Sequence, residues 1–165
     1  MDDVYTTKSV EIAEAERWLE AVFDGAPSGQ FVERRTINPV TRQAHQSWWP
    51  ANNLKGLVDA SLDDVVNVYV GVCPRVRKGG TASDVTHAGA LWVDDPKRDL
   101  PEGFPQPAVI VETSPGKLQW IWLLADWTTD LDAIERINAE LRDLVGGDNV
   151  QDRARILRIP GFRNV

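Results

Sequence analysis

Two apolar segments joined by a short polar turn dominate the second half of the chain. Residues 108–113 and 118–124 predict two strands, and the Ser-Pro-Gly-Lys sequence at 114–117 predicts a hairpin between them. Residues 128–145 follow with apolar side chains at helical spacing and predict the clearest helix. Because a hairpin and an amphipathic helix each have one apolar face to bury, this region predicts a sheet with helices packed against it.

The remaining predicted elements are shorter and extend the same architecture. Strands are predicted over residues 30–37, 65–73 and 90–95, an extended segment from residue 154, and helices over residues 9–24 and 52–64. Ser9 is the predicted N-cap of the first helix, Thr128 or Thr129 caps the last helix, and Gly146 and Gly147 end it. This order predicts an α+β fold, an α/β sandwich built on a mostly antiparallel mixed sheet.

Composition limits the classes of function that the chain can perform. Its 165 residues suffice for one domain with a real core, and two histidines with one cysteine exclude a structural zinc site. The single cysteine, Cys73, favours a reducing cytoplasm and is predicted to be a buried apolar filler. No apolar run approaches the roughly 20 residues of a membrane span. A net charge of −7 argues against a passive nucleic-acid coat protein, but not against an enzyme that holds phosphates through metal ions.

Two adjacent carboxylates end a predicted buried strand. The sequence Leu-Trp-Val at 91–93 leads into Asp94, Asp95 and Pro96. A rigid strand end suits metal ligands, and carboxylates are ligands that Mg²⁺ prefers. The alternative is a strand-terminating turn, since aspartate and proline both favour turns.

The hairpin turn carries groups that suit a phosphate. Ser114 supplies a hydroxyl, Gly116 allows a close backbone approach, and Lys117 supplies a positive charge. Gln119 opens one face of the following strand, from which it would reach a nucleotide. An ordinary hairpin turn is the alternative.

Basic residues cluster near the C-terminal end of an otherwise acidic chain. Arg153, Arg155 and Arg158 precede a Pro-Gly turn, and their spacing predicts an anion site. Asp148, directly behind the last predicted helix, is a candidate fixed carboxylate. Surface ion pairs of little energetic value are the alternative.

A second basic segment follows the valine-rich strand. Arg75, Arg77 and Lys78 stand beside Gly79 and Gly80 in a predicted loop. Such a loop would grip the phosphates of a template or a primer. A mobile surface loop without that role is the alternative.

Taken in order, these motifs resemble a prim-pol (primase-polymerase) domain of the archaeo-eukaryotic primase superfamily, and especially the primase domains of phage and plasmid replication proteins. The resemblance covers residues 68–164 and includes residues 69–75 with the Lys-Gly-Gly loop, residues 90–95, residues 113–119 and residues 148–164. The stretch from Asp152 to Gly161 has the pattern D-x-x-R-h-h-R-h-P-G, where h is apolar. Each motif is weak alone, and their order and spacing make the match specific.

The resemblance implies one prim-pol catalytic domain over residues 1–165, with an RRM-like catalytic core flanked by helices. Residues 1–65 would form an N-terminal α/β part, and residues 66–165 the motif-bearing core. The domain would be the N-terminal fragment of a larger replication protein with a helicase domain in the same polypeptide. The implied location is the cytoplasm of a bacterial host, with no membrane contact.

The implied activity is that of a DNA primase and DNA polymerase, which synthesises or extends primers on a single-stranded DNA template by nucleotidyl transfer. Two Mg²⁺ or Mn²⁺ ions would be held by Asp94, Asp95 and Asp148, and Asp152 is the alternative to Asp148. Five residues would contact the incoming NTP or dNTP: Ser114, Lys117, Gln119, Arg155 and Arg158. The primer and template would contact Arg75, Arg77 and Lys78.

Two positions depart from the family pattern. The second acid of an Asp-x-Asp motif falls on Pro96, and Gln119 replaces a histidine. Adjacent strand residues point to opposite faces, so Asp95 reaches the metals only through a bend before Pro96, or Asp99 folds back in its place. These departures motivate the alternative of a catalytically weakened nucleic-acid-binding or scaffold module. An unrelated small α+β enzyme is the third hypothesis.

Overall fold

The chain folds into helices and two antiparallel sheets. The computed structural model describes residues 3–61 and 66–162, with side chains from residue 12 onward. The helices are α1 (Asp3–Phe23), α2 (Lys55–Asp59) and α3 (Leu131–Val145), with a short 3₁₀ helix at Ala82–Asp84. The strands are β1 (Phe31–Ile37), β2 (Ala44–Pro50), β3 (Asn67–Gly71), β4 (Ala88–Asp94), β5 (Val109–Ser114), β6 (Lys117–Thr128) and β7 (Ile156–Arg158). The predicted α+β class is confirmed.

The first sheet has the strand order β2-β1-β3-β7, and every neighbouring pair in it is antiparallel. The segment around Trp48, Trp49 and Pro50 lies outside every strand predicted above, but it belongs to β2, which pairs with β1 along its length. As an edge strand β2 exposes much of its length to solvent, so no apolar alternation marks it. Pairing of β1 with β3 places the predicted N-terminal part and the predicted core in one sheet.

The second sheet has the order β4-β6-β5, again antiparallel. The predicted hairpin is confirmed: Ser114 pairs with Lys117, and Gly116 has the left-handed φ of +76° that favours glycine in a tight turn. Strand β6 runs four residues further than predicted and pairs again with the start of β4 at Thr128, beyond an irregularity in the β4–β6 register.

Alternate side chains of the second sheet pack into two different apolar clusters. Trp92 on β4 and Ile121 on β6 belong to the main core, with side chains of the first sheet and of α1. Val93 and Trp122 belong to a smaller cluster with the α3 side chains. Because side chains alternate along a strand, Asp94 lies on the Trp92 side, at the edge of the main core. Cys73 is buried in that core, as predicted, and burial raises the pKa of its thiol to about 12.

The helix boundaries differ from the predictions mainly at their N-terminal ends. Helix α1 begins at Asp3, so Ser9 lies inside it rather than at its cap; residues 3–8 contain no glycine or proline to interrupt a helix. Helix α3 is capped by Asp130, whose Oδ1 accepts from the Ala133 N–H at 3.1 Å, and not by either threonine. Gly146 ends it with a φ of +70°, as predicted.

Helix α2 is much shorter than the predicted helix over residues 52–64. Residues 62–65, which include the end of that helix and the start of the predicted strand 65–73, lie outside the described residues. Arg163 and Asn164, the end of the C-terminal motif, lie outside them too. Within the described part of the chain, no helix is both long enough and apolar enough to cross a bilayer.

Candidate active site

Asp94 and Gln119 face each other at the open end of the second sheet. They are direct partners in the β4–β6 ladder, and Gln119 is buried. Burial raises the pKa of Asp94, a hydrogen bond from Gln119 opposes that rise, and the nearby Asp148 and Asp95 carboxylates add to it. Asp94 is therefore a carboxylate surrounded by other negative charge, which is the electrostatic condition that a bound cation relieves.

Asp148 is brought to Asp94 by the turn that follows α3. Its backbone N–H donates to the Asp94 carbonyl oxygen at 2.8 Å. Gly147 packs against the end of β4: a Cβ there would lie 2.6 Å from Val93 Cγ1 and 3.0 Å from the Asp94 carbonyl oxygen. A glycine at 147 is thus what lets the chain pass close enough to hold Asp148 beside Asp94. The sequence predicted Gly147 only as the end of a helix and did not predict its close contact with β4.

Asp95 leaves the strand through a bend, one of the two possibilities given above, but its carboxylate contacts lysine side chains. Its φ is +50°, and its N–H donates to the Leu118 carbonyl oxygen at 2.7 Å. The carboxylate forms an ion pair with Lys97 and lies 3.8 Å from the Lys117 ammonium. A hydrogen bond from Lys97, and the charges of both lysines, hold the pKa of Asp95 below its usual range. Its role as a metal ligand stays a prediction, and Lys97 is a neighbour that sequence reasoning missed.

The residues around Asp94 fit a hard divalent cation in part. Within residues 3–61 and 66–162, no group of three or more His, Cys, Asp or Glu side chains is arranged to hold a metal ion. Asp94 and Asp148 nevertheless supply two nearby carboxylates, and the buried Gln119 Oε1 has no hydrogen-bond partner. These are oxygen donors of the kind that Mg²⁺ uses with one or two carboxylates, waters and substrate phosphates.

The C-terminal arginines are engaged with the protein itself. Arg155 donates to Asp152 Oδ2 at 2.6 and 3.1 Å, and its charge also acts on Asp94. Since Asp152 is already neutralised by Arg155, Asp148 is the better candidate for the third acid. Arg153 binds two acids of α3, Asp132 and Glu135.

Arg158 lies on β7, away from the hairpin turn. It stacks over the Tyr69 ring at 4.8 Å, and its Nη1 donates to Asn67 Oδ1 at 2.9 Å. It also lines a cavity of about 450 Å³ between α1, β5 and the C-terminal segment. Its predicted contact with a nucleotide is untested, and its described partners lie on β3.

The basic loop after β3 differs most from the expectation. Arg75 is completely buried and forms an ion pair with the equally buried Glu33 of β1 at 2.9 Å, so it is not available to DNA. Arg77 is exposed and pairs with Asp84 at 2.5 Å, and Lys78 lies over the Phe31 ring at 5.9 Å. We therefore correct the predicted role of Arg75, while Arg77 and Lys78 remain candidates at the surface.

Comparison with known proteins finds one family match and three similar structures. Residues 84–165 match the family model of the RepB DNA-primase N-terminal domain. The primase-polymerase (PrimPol) AEP domain of cyanophage S-2L is 18% identical, with 89% of this chain and 80% of that chain covered and a TM-score of 0.66. Comparison with curated proteins gives no match.

Two structures of primase RepB′ share the fold. One is 22% identical, with 93% of this chain and 51% of that chain covered and a TM-score of 0.65. The other, a catalytic domain in complex with initiator DNA, is 20% identical, with 92% and 77% covered and a TM-score of 0.61. The chain thus spans about half the length of the first of these. The family match over residues 84–165 supports DNA-primase activity of the nucleotidyltransferase type, and together with the shared fold it supports a prim-pol domain of plasmid and phage replication type.

Proposed function

We propose that the chain extends or synthesises primers on a single-stranded DNA template, using Mg²⁺ or Mn²⁺ as cofactor. The observation that carries this proposal is the crowding of Asp94 and Asp148 at the end of β4, in a chain that matches a DNA-primase family. Carboxylates held close together at a strand end disfavour their own ionised state, and such perturbed groups cluster at functional sites.

The cation would be held by Asp94 and Asp148, where it would supply Lewis-acid stabilisation of the triphosphate and lower the pKa of the primer hydroxyl. The chain's own contribution is positioning. Gln119 Oε1, buried and without a partner, is an acceptor for a nucleotide hydroxyl or a metal-bound water. Lys117, whose side chain is 62% exposed, and Ser114 at the hairpin end would contact phosphate oxygens.

The reaction needs no covalent protein intermediate. The primer 3′ oxygen forms a bond to the α-phosphorus of the incoming nucleotide, the bond to the bridging oxygen breaks, and pyrophosphate leaves while the hydroxyl proton passes to solvent. The rate enhancement would come from holding the two reactants in line and from stabilising negative charge on the phosphates. Asp94 and Asp148 would fix the place of the reaction, and the hairpin would fix the nucleotide.

The proposed partner is single-stranded DNA with a primer. One structure of the RepB′ catalytic domain was solved with initiator DNA, which is the precedent for this partner in the same fold. Arg77 and Lys78 are the proposed backbone contacts of this chain, because the Arg77 side chain is 65% exposed. A helicase domain in the same polypeptide and a location in the host cytoplasm are further proposals that follow from the replication role.

One observation favours a second candidate, a catalytically weakened nucleic-acid-binding module. Asp95 is occupied by two lysines, and the described residues form no group of three metal-binding side chains. A domain with only two available carboxylates would hold its cation more weakly than a three-acid site. This candidate predicts metal-independent DNA binding that Asp94→Ala leaves unchanged.

Primer extension by the 165-residue chain separates the two candidates. The parent is expected to extend a primer with Mn²⁺ or Mg²⁺, and Asp94→Ala and Asp148→Ala are each expected to abolish extension. Asp126→Ala, an exposed acid on β6, is the matched control and should retain parent activity. Folded protein that binds DNA but extends nothing would favour the weakened module, and folded protein that does neither would refute the proposed function.

A further inference from the structure

The proposed nucleotide site contains two lysines that converge on one carboxylate. We propose that Lys97 and Lys117 form a subsite for the distal phosphates of a nucleoside triphosphate, and that Asp95 holds these lysines in place until the phosphates displace it. This inference rests on the proposed function, and it assigns Asp95 a role other than metal ligation.

The backbone turns Asp95 toward the lysines. Its positive φ takes it out of β4, and its N–H bond to Leu118 fixes it at the base of the hairpin. The Asp95 side chain is 9% exposed, whereas Lys97 and Lys117 are 56% and 62% exposed. The carboxylate is thus enclosed while both ammonium groups remain open to solvent, which is the arrangement that an incoming anion needs.

The lysines lie next to the candidate metal ligands. Lys117 and Gln119 share a face of β6, at a separation of roughly 7 Å along the strand, and Gln119 faces Asp94. The Lys97 N–H donates to the Val145 carbonyl oxygen at 2.8 Å, which ties Lys97 to the end of α3 just before Asp148. The subsite therefore borders Asp94 on one side and the Asp148 turn on the other.

The local charge favours an anion over a second cation. At Asp95 itself two ammonium groups face one carboxylate, and lysine ammonium groups are common phosphate ligands, whereas the charges of Asp94 and Asp148 lie on the neighbouring cation side. A divalent cation at Asp95 would have to displace both lysines and would then lie among like charges. Phosphate groups replace the carboxylate without that cost.

Binding of inorganic triphosphate, measured calorimetrically in metal-free buffer, tests the lysines. Lys97→Ala and Lys117→Ala are each expected to weaken binding roughly three- to tenfold. Arg98→Ala is the matched control and should change the affinity less than about twofold, because the Arg98 guanidinium donates to the Asp143 carbonyl oxygen at 2.7 Å instead. Equal losses in all three variants, or a parent that does not bind triphosphate, would overturn the inference.

Asp95→Asn tests the carboxylate, and asparagine also tolerates the left-handed backbone. With the competing charge removed, triphosphate binding is expected to strengthen by roughly the same three- to tenfold. Mn²⁺ affinity, measured by electron paramagnetic resonance, should stay within about twofold, whereas Asp94→Asn should lower it about tenfold or more. An Asp95→Asn variant that loses Mn²⁺ as Asp94→Asn does would show a metal ligand. Triphosphate binding that follows these expectations in a chain without primer extension would support the subsite and refute the polymerase function.

Discussion

Replacing Arg75 with alanine is expected to destabilise the fold by about 3 kcal/mol, the lower end for removing one partner of a buried ion pair, because Arg35 and Gln46 still bind Glu33. Arg75 and Glu33 are both completely inaccessible. The guanidinium donates to Glu33 Oε2 at 2.9 and 3.2 Å, to the Cys73 carbonyl oxygen at 2.8 Å and to the Ala154 carbonyl oxygen at 3.0 Å. Domains of this kind have a total stability of only roughly 5–15 kcal/mol, so the loss is a large fraction of it.

Urea unfolding followed by tryptophan fluorescence measures this loss. Arg77→Ala removes the same charge from an exposed side chain, and its buried partner Asp84 keeps two hydrogen bonds from Thr81, so the loss should be less than about 1 kcal/mol. Arg75→Lys keeps the charge but not the two-pronged geometry, so it should fall between the parent and the alanine variant. If Arg75→Ala is too unstable to purify, Arg75→Met combined with Glu33→Gln should recover part of the stability, because no buried charge is then left alone.

The opposite result would restore the DNA-binding interpretation of Arg75. In that result, the free energy of unfolding of Arg75→Ala would lie within about 0.5 kcal/mol of the parent value, which is the range of ordinary surface substitutions. The same variant would also have to bind DNA more weakly than the parent, to the extent that Arg77→Ala does. Arg75 would then not form the buried ion pair with Glu33 in solution.

Two further substitutions test the geometry around Asp94. Gly147→Ala is expected to reduce primer extension about tenfold or more, because the new methyl group would collide with Val93 and push Asp148 away. The free energy of unfolding in urea should change by less than the equivalent amount. Primer extension at the rate of the parent would contradict this. Asp94→Asn is expected to raise the melting temperature of the metal-free domain by roughly 2–6 °C near neutral pH. The folded-state pKa of Asp94 is raised, so its ionisation disfavours the fold above that pKa, and the advantage of asparagine should vanish below the ordinary value of 3.8. Melting curves recorded with a chelator across this pH range would refute the argument if Asp94→Asn were the less stable protein at neutral pH.

Local pattern predicted the elements whose burial is regular along the chain. The hairpin and α3 each combine an apolar period with a specific end signal, Gly116 in the turn and Gly146 behind the helix, and both appear where they were expected. Strand β2 was missed because its side chains are largely exposed and its only strong signal is its partner β1. An edge strand is defined by pairing, which one segment of sequence does not contain.

In the candidate site too, some features could be predicted from the sequence and others depend on contacts between distant parts of the chain. Asp94, Gln119 and Asp148 were predicted together from strand ends and the family resemblance, and the structure brings them together. The environment of Arg75 could not be predicted, since it depends on Glu33, 42 residues earlier in the chain. Asp95 illustrates the same limit: a bend before Pro96 was one of two possibilities given by the sequence, but the lysines that its carboxylate contacts were not predicted.

The electrostatics of the fold explain how an acidic domain could act on a polyanion. The chain carries a net charge of −7, and several arginines are engaged in internal ion pairs, including Arg75, Arg153 and Arg155. Few positive charges then remain to displace counterions from DNA, so nonspecific affinity and its salt dependence should both be small. A divalent cation at Asp94 and Asp148 would neutralise both carboxylates where the primer end and the triphosphate must meet. In such a domain the metal would contribute to substrate binding as well as to chemistry, and this would restrict tight contact with DNA to the place where the reaction occurs.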